Sequence, residues 1–176
     1  MRGDARHIAR VPGLGHPVPV ALLAVALVLV GPSCSGVDST ASKAGVDRRS
    51  APGLDGGRVE LTTPGRPTVV AYIASWCAPC RKELPELEAL VRRRAGAVRV
   101  VGVAMQEEAS STRGLVAETG ITFEVARDPD GERFAADGFV AMPGTVLYDR
   151  DGRAVHRYRG PIDFADLDRR LDALTR

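Results

Sequence analysis

Residues Thr68 to Ala74 (TVVAYIA) form a β-branched, apolar run with no polar alternation. A strand that alternates can leave one face in water, but this one has no polar face, so it demands a sheet covered on both sides. The next residues say how the cover is made. From Cys77 to about Arg94, Leu84, Leu87, Leu90 and Val91 recur at helical spacing, with Glu88 and Arg92 paired one turn apart on the outer face, and Val98 to Ala104 is a second apolar strand. Strand, amphipathic helix and strand make a βαβ unit, whose crossover is right-handed by the general rule.

Beyond it, Ser110 to Glu118 and Glu132 to Asp137 read as helices, Thr122 to Ala126 as a short strand, and Asp128-Pro129-Asp130-Gly131 as a turn. Thr145 to Asp149 and Ala154 to Arg159 are strands joined through Asp149-Arg150-Asp151-Gly152, a Gly-containing hairpin connection. A last helix runs from about Asp163 to Leu174, with Phe164, Leu167, Leu171 and Leu174 on one face. Parallel strands followed by a hairpin, with helices between them, predict an α/β fold: a mixed central sheet with helices on both faces.

The chain has 176 residues and 44% hydrophobic content, enough for one domain plus a leader. Its net charge of +2 is accounted for by Arg2, Arg6 and Arg10 against Asp4 in the first 33 residues. The remainder is balanced and carries no electrostatic footprint for nucleic acid. These arginines precede an apolar run from Val18 to Val30 and a polar turn at Gly31-Pro32-Ser33-Cys34, the layout of a secretory signal. As a helix the run would extend only about 20 Å, short for a hydrocarbon core of about 30 Å. Residues 1–33 are therefore read as a leader, 34–52 as a flexible tether rich in Ser, Gly, Asp and Ala, and 53–176 as the folded domain.

Cys34 is placed like the acylated cysteine of a bacterial lipoprotein, although Gly31 stands where such signals usually carry Leu. Lipidation would anchor the domain to the outer face of the cell membrane. The alternative is cleavage after Ser33 or Ser35 and a secreted or periplasmic protein. Either way the domain faces outside, and lipidation would account for the one thiol left over when Cys77 and Cys80 are taken together.

Trp76-Cys77-Ala78-Pro79-Cys80 carries the chemistry: two thiols three residues apart at a strand-to-helix junction can pass one disulfide to and from a partner. A thiolate attacks a disulfide, and Cys77 at a helix start sits among orphan backbone N–H groups and the positive end of the helix dipole, which stabilise that charge. Cys77 is then the attacking thiol and Cys80 the resolving one, while Pro79 suits a first turn, where a missing N–H is tolerated. Glu83, three residues beyond Cys80, is a candidate proton relay, its plainer reading being a solvated helix carboxylate.

The run TVVAYIASWCAPCRKELPELEAL resembles the active-site strand and helix of thioredoxin-fold proteins, and its Arg-Lys-Glu-Leu-Pro continuation resembles the TlpA/ResA branch of exported thiol-disulfide oxidoreductases. Phe139 to Asp149 (FVAMPGTVLYD), followed by Asp151-Gly152, is similar to that family's cis-proline loop and hairpin, and Pro85 falls where the fold carries a proline inside its first helix. The resemblance implies a thioredoxin-like fold over about residues 53–176. Pro143 would be cis and would present the carbonyl of Met142 or its neighbours to a partner, and Trp76 would shield the disulfide. It also implies protein thiols and disulfides as partners, a membrane-embedded electron donor or acceptor, no cofactor, and action as a monomer. It favours a reductant, for instance of apocytochrome c thiols; a disulfide-forming oxidase is the alternative.

Two departures stand out. Ala71 replaces the buried aspartate that thioredoxin carries six residues before its first cysteine, and Gly144 follows the proline where Thr or Ser is usual, with a wider groove as the expected result.

Rival chemistries fit less well. Structural zinc needs four ligands, but outside the leader only Cys34 and His156 could join the pair. Covalent haem attachment needs His after Cys80, where Arg81 stands. A copper-binding chaperone using Cys77, Cys80 and His156 is a distinct alternative. A thiol peroxidase is another, but Val70 and Ala74 occupy the Pro and Thr/Ser places of the peroxidase run. Glu107-Glu108 reads as a solvated loop, with no metal assigned.

Overall fold

A computed structural model of the chain describes residues 45–176. The leader, Cys34 and the tether up to residue 44 lie outside the described residues. The apolar run becomes β3 (Thr68–Ile73), buried at all six positions, in the middle of a five-stranded sheet. It runs parallel to β4 (Arg99–Met105), which is parallel to β5 (Glu124–Asp128). On its other side it is antiparallel to β6 (Gly144–Tyr148), which pairs in turn with β7 (Ala154–Arg159).

Side chains of β3 alternate between two cores, as the period of a strand requires. Val69, Ala71 and Ile73 pack with Leu84, Leu87 and Leu90 of α1 (Ala78–Arg94), Leu115 of α2 (Ala109–Thr119), and Leu167 and Leu171 of α4 (Phe164–Thr175). Val70 and Tyr72 face the other way, onto Phe134 of α3 (Glu132–Ala136), Phe139, Ala51 and Val59. Helices thus cover both faces of a mixed sheet, in a thioredoxin-like fold.

The α1 start is built by its own residues. Cys77 is the N-cap, and Pro79 lies in the first turn, where its missing N–H has no intrahelical partner to lose. At the far end Arg92, Arg93 and Arg94 complement the negative end of the helix dipole, and Arg94 also reaches Asp168 and Asp172 of α4 at 2.7 and 2.5 Å. Pro85 lies inside the helix, as the resemblance implied.

Two sequence readings are corrected here. The sequence reads as a tether through residue 52, whereas Ser50–Pro52 is a strand, β1, antiparallel to β2 (Arg58–Glu60). Its approach is held as well: buried Arg133 donates to the carbonyls of Asp47 and Ser50, and Arg58 reaches Asp47 at 2.6 Å. Three-residue strands carry no periodicity, and the anchoring arginine lies more than 80 residues away in sequence.

Glu88, read as an outer-face partner of Arg92, is also buried. Arg92 does bond to it at 3.1 Å, but its oxygens also accept the N–H and hydroxyl of Thr122, at 2.8 and 3.0 Å. The carboxylate therefore ties α1 to the segment entering β5. Among the described residues no helix is long and apolar enough to cross a membrane.

Candidate functional site

β3 and β4 are parallel, so they end at the same edge of the sheet, and the chain leaves β3 there through Ala74, Ser75 and Trp76 into α1. Cys77 and Cys80 form a disulfide with Cα atoms 5.3 Å apart. Both are buried, Cys77 at 4% exposure and Cys80 at 1%. Cys77 N–H donates to the Ala74 carbonyl at 3.1 Å, and Cys77 Sγ accepts the N–H of Cys80 at 3.2 Å. The second bond places a backbone donor on Cys77 Sγ at the positive end of a 17-residue helix, a setting that would stabilise a thiolate there.

The Met142–Pro143 peptide is cis. Pro143 is buried, its carbonyl accepts the N–H of Gly160 at 3.0 Å, and Met142 packs with Ala74 on the two cysteines. Trp76 is 56% exposed and lines a groove of about 400 Å³ together with Met105, Gln106, Phe139, Val140 and Met142. Among the described residues no charged side chain lines it, and Val140, also in its lining, is fully exposed. A larger cleft of about 510 Å³, lined by Arg48, Arg49 and Arg157 among others, includes Tyr148, which pairs with Thr68 at the opposite end of β3, away from the cysteines.

The floor of the groove is aromatic. Phe134 and Phe139 stack on each other at 5.2 Å and meet the ring of Tyr72 edge-on at 5.1 and 5.6 Å. Tyr72 donates to buried Asp137 at 2.7 Å, and burial together with that carboxylate raises the phenol well above its ordinary range. Tyr148 is pushed up to about 12, first by burial and then by Asp137.

This aromatic floor corrects the reading of Gly144. A Cβ there would come within 2.9 Å of the Phe139 ring and 3.1 Å of Phe134, so the glycine makes room for aromatic rings and does not widen the groove.

Glu83 is not a solvated carboxylate. It is buried, and its Oε1 accepts the N–H of Ile162 at 2.6 Å. Burial raises its pKa and the Ile162 bond opposes the rise. With the folded value above the unfolded one, the protonated carboxyl favours folding. That contribution is complete below the ordinary carboxylate value and is lost as pH rises through the raised folded value. Glu83→Gln removes the titration, so its stability relative to wild type should increase as pH rises across this window. Urea midpoints at about pH 4 and about pH 8 check this, and a constant difference contradicts it.

His156 lies on β7 with its ring edge-on to Tyr158 at 4.5 Å, and burial lowers its pKa. Among the described residues no cluster of three or more His, Cys, Asp or Glu side chains is arranged to hold a metal ion.

Glu107 was missed. Its carboxylate accepts the N–H and the hydroxyl of Ser75, two residues before Cys77, at 2.8 and 2.6 Å. The available signal was topological: the loop after a parallel strand emerges at the same sheet edge as the loop after its neighbour.

Residues 38–171 match the Redoxin family. The chain belongs to this family. Among Redoxin-like relatives, it is 35% identical over 165 residues to the thiol:disulfide interchange protein DsbE homolog of Paracoccus denitrificans, covering 88% of this chain and 89% of that one. It is 26% identical over 124 residues to the thiol-disulfide oxidoreductase ResA of Bacillus anthracis, covering 69% and 72%. A secreted disulfide oxidoreductase of Mycobacterium tuberculosis, described as homologous to E. coli DsbE, has a similar structure, with a TM-score of 0.62 and 26% identity over 73% of this chain and 99% of that one. The structure of MTB dsbF in mixed oxidized and reduced forms gives 0.63 and 29%, over 71% and 93%. Its Cys77–Cys80 pair makes this Redoxin-family chain a thiol-disulfide oxidoreductase of the DsbE/ResA type.

Proposed function

We propose that the protein works outside the cytoplasm as a reductant of partner disulfides, for example those of apocytochrome c before haem attachment. The observation that carries this reading is the disulfide at the α1 start, with Cys77 Sγ under the Cys80 N–H and the cis-proline loop beside it. Relatives named DsbE, ResA and HelX support the assignment.

In the forward direction the Cys77 thiolate attacks one sulfur of the partner's disulfide, forming a mixed disulfide and releasing the partner's other sulfur as a thiolate. Cys80 gives up its proton, its thiolate attacks Cys77 Sγ, and the partner's second sulfur leaves, so two electrons have moved to the partner. Glu83 takes or relays the Cys80 proton. It stands about one turn beyond Cys80 on α1 and is buried like it, and burial raises its carboxyl pKa.

Pro143 has its own carbonyl engaged by Gly160, so Met142 offers the backbone acceptor to an extended partner segment. The uncharged groove beside Trp76 takes the partner's apolar side chains. Pro79 keeps the first turn of α1 in shape. Cys34 is the lipidation site that holds the domain at the membrane, where a membrane-embedded donor resets the pair. The protein acts as a monomer. The experiment is the potential of the Cys77/Cys80 couple, because a reductant requires a value at the low end of the thioredoxin-fold range.

A further inference from the structure

Ser75 has three polar groups, and the fold holds all of them. Its N–H donates to Glu107 Oε2 at 2.8 Å, its hydroxyl donates to the same oxygen at 2.6 Å, and its carbonyl accepts from Arg81 Nη1 at 3.4 Å. The other Glu107 oxygen accepts the hydroxyl of buried Thr112, in the first turn of α2, at 2.8 Å. Arg81 is itself paired with Glu118 near the end of α2. One carboxylate from the end of β4 and one guanidinium from α1 therefore grip the residue that precedes Trp76 and Cys77.

We infer that Glu107 is a positioning residue of thiol-disulfide exchange, holding the Ser75 to Cys77 turn so that Cys77 meets Cys80 across the α1 start. The inference rests on the reading of Cys77 and Cys80 as the exchanging pair. Closing a dithiol requires two sulfurs to meet within a narrow range of geometry, and a turn already fixed in that geometry raises their effective concentration for one another. By linkage, what holds the turn stabilises the disulfide form relative to the dithiol. Releasing Ser75 lets Cys77 sample positions from which no disulfide closes, so the oxidised form loses ground.

The test is the equilibrium of the full-length protein with glutathione: the Cys77/Cys80 dithiol plus glutathione disulfide gives the protein disulfide plus two reduced glutathiones. It is read by alkylation of the free thiols. Glu107→Ala should lower the equilibrium constant for disulfide formation about tenfold, equivalent to about 30 mV toward a more oxidising couple. Glu107→Gln should stay within about threefold of wild type, because its amide oxygen can accept both Ser75 bonds while the Thr112 hydroxyl turns to accept from the amide N–H.

Ser75→Ala deletes only the hydroxyl donor and should shift the constant in the same direction as Glu107→Ala by about threefold, which keeps the test available if Glu107→Ala does not fold. An unchanged constant in Glu107→Ala or in Ser75→Ala overturns the clamp. A Glu107→Gln shift as large as that of Glu107→Ala overturns it too, because charge and not hydrogen bonding would then be responsible. Failure of the wild-type pair to equilibrate with glutathione at all would instead sink the exchange reading itself.

Discussion

Cys80→Ser is expected to turn the protein into a trap, in which Cys77 remains joined to its partner by a mixed disulfide that survives until a reductant is added. The first attack is untouched in this variant, because Cys77 keeps the end of α1 and the backbone N–H of residue 80. What is lost is the second thiolate, which would arrive from one helical turn away. Cys77→Ser should instead lower exchange by on the order of 10³-fold or more, since it removes the covalent path and not an assisting group. Non-reducing electrophoresis with and without dithiothreitol distinguishes the two variants. Adducts forming on Cys80 in Cys77→Ser, with none in Cys80→Ser, would reverse the assigned roles.

Gly144→Thr should destabilise the protein by about 1–3 kcal/mol, the usual effect of forcing extra atoms into a packed core. A Cβ at this position meets Phe139 at 2.9 Å, and Phe139 has little freedom to retreat, being stacked on Phe134 and against Tyr72. Gly144 is also in register with Tyr72, whose hydroxyl is committed to Asp137. Any movement of the Phe139 ring alters the wall of the groove it shares with Trp76 and Met142, so reaction with a partner should weaken along with folding. Phe139→Ala in the same chain opens the space and should recover part of the loss, a coupling expected of neighbouring sites. Urea unfolding of the single and double variants measures both terms, and a Gly144→Thr protein as stable as wild type would contradict the packing account.

Wherever one element sufficed to define itself, the sequence was readable. The unbroken apolar strand, the leucine spacing of α1, the hairpin after residue 144 and the cysteines at the helix start all depend on neighbours within about a turn or a strand. Burial of charged groups depends on contacts that arrive from far along the chain. Glu83 looks like any helix carboxylate until Ile162 comes to it, 79 residues later, and Glu88 looks exposed until Thr122 arrives. Gly144 was interpreted from what is missing at the position, whereas its meaning lies in the rings that occupy the space. Glu107 belongs to the same class, since its partner Ser75 is reached only by bringing two strand ends side by side. The β1–β2 pair was invisible because it owes its place to Arg133 and to the bond from Leu54 N–H to the Val125 carbonyl, and not to any pattern of its own.

The central claim, that the pair donates electrons to partner disulfides, is tested most directly by the midpoint potential of the Cys77/Cys80 couple in a glutathione or dithiothreitol series. A reductant should show a value near the reducing end of the thioredoxin-fold range, about −270 mV, while a value close to about −120 mV would make the protein an oxidant and contradict that claim.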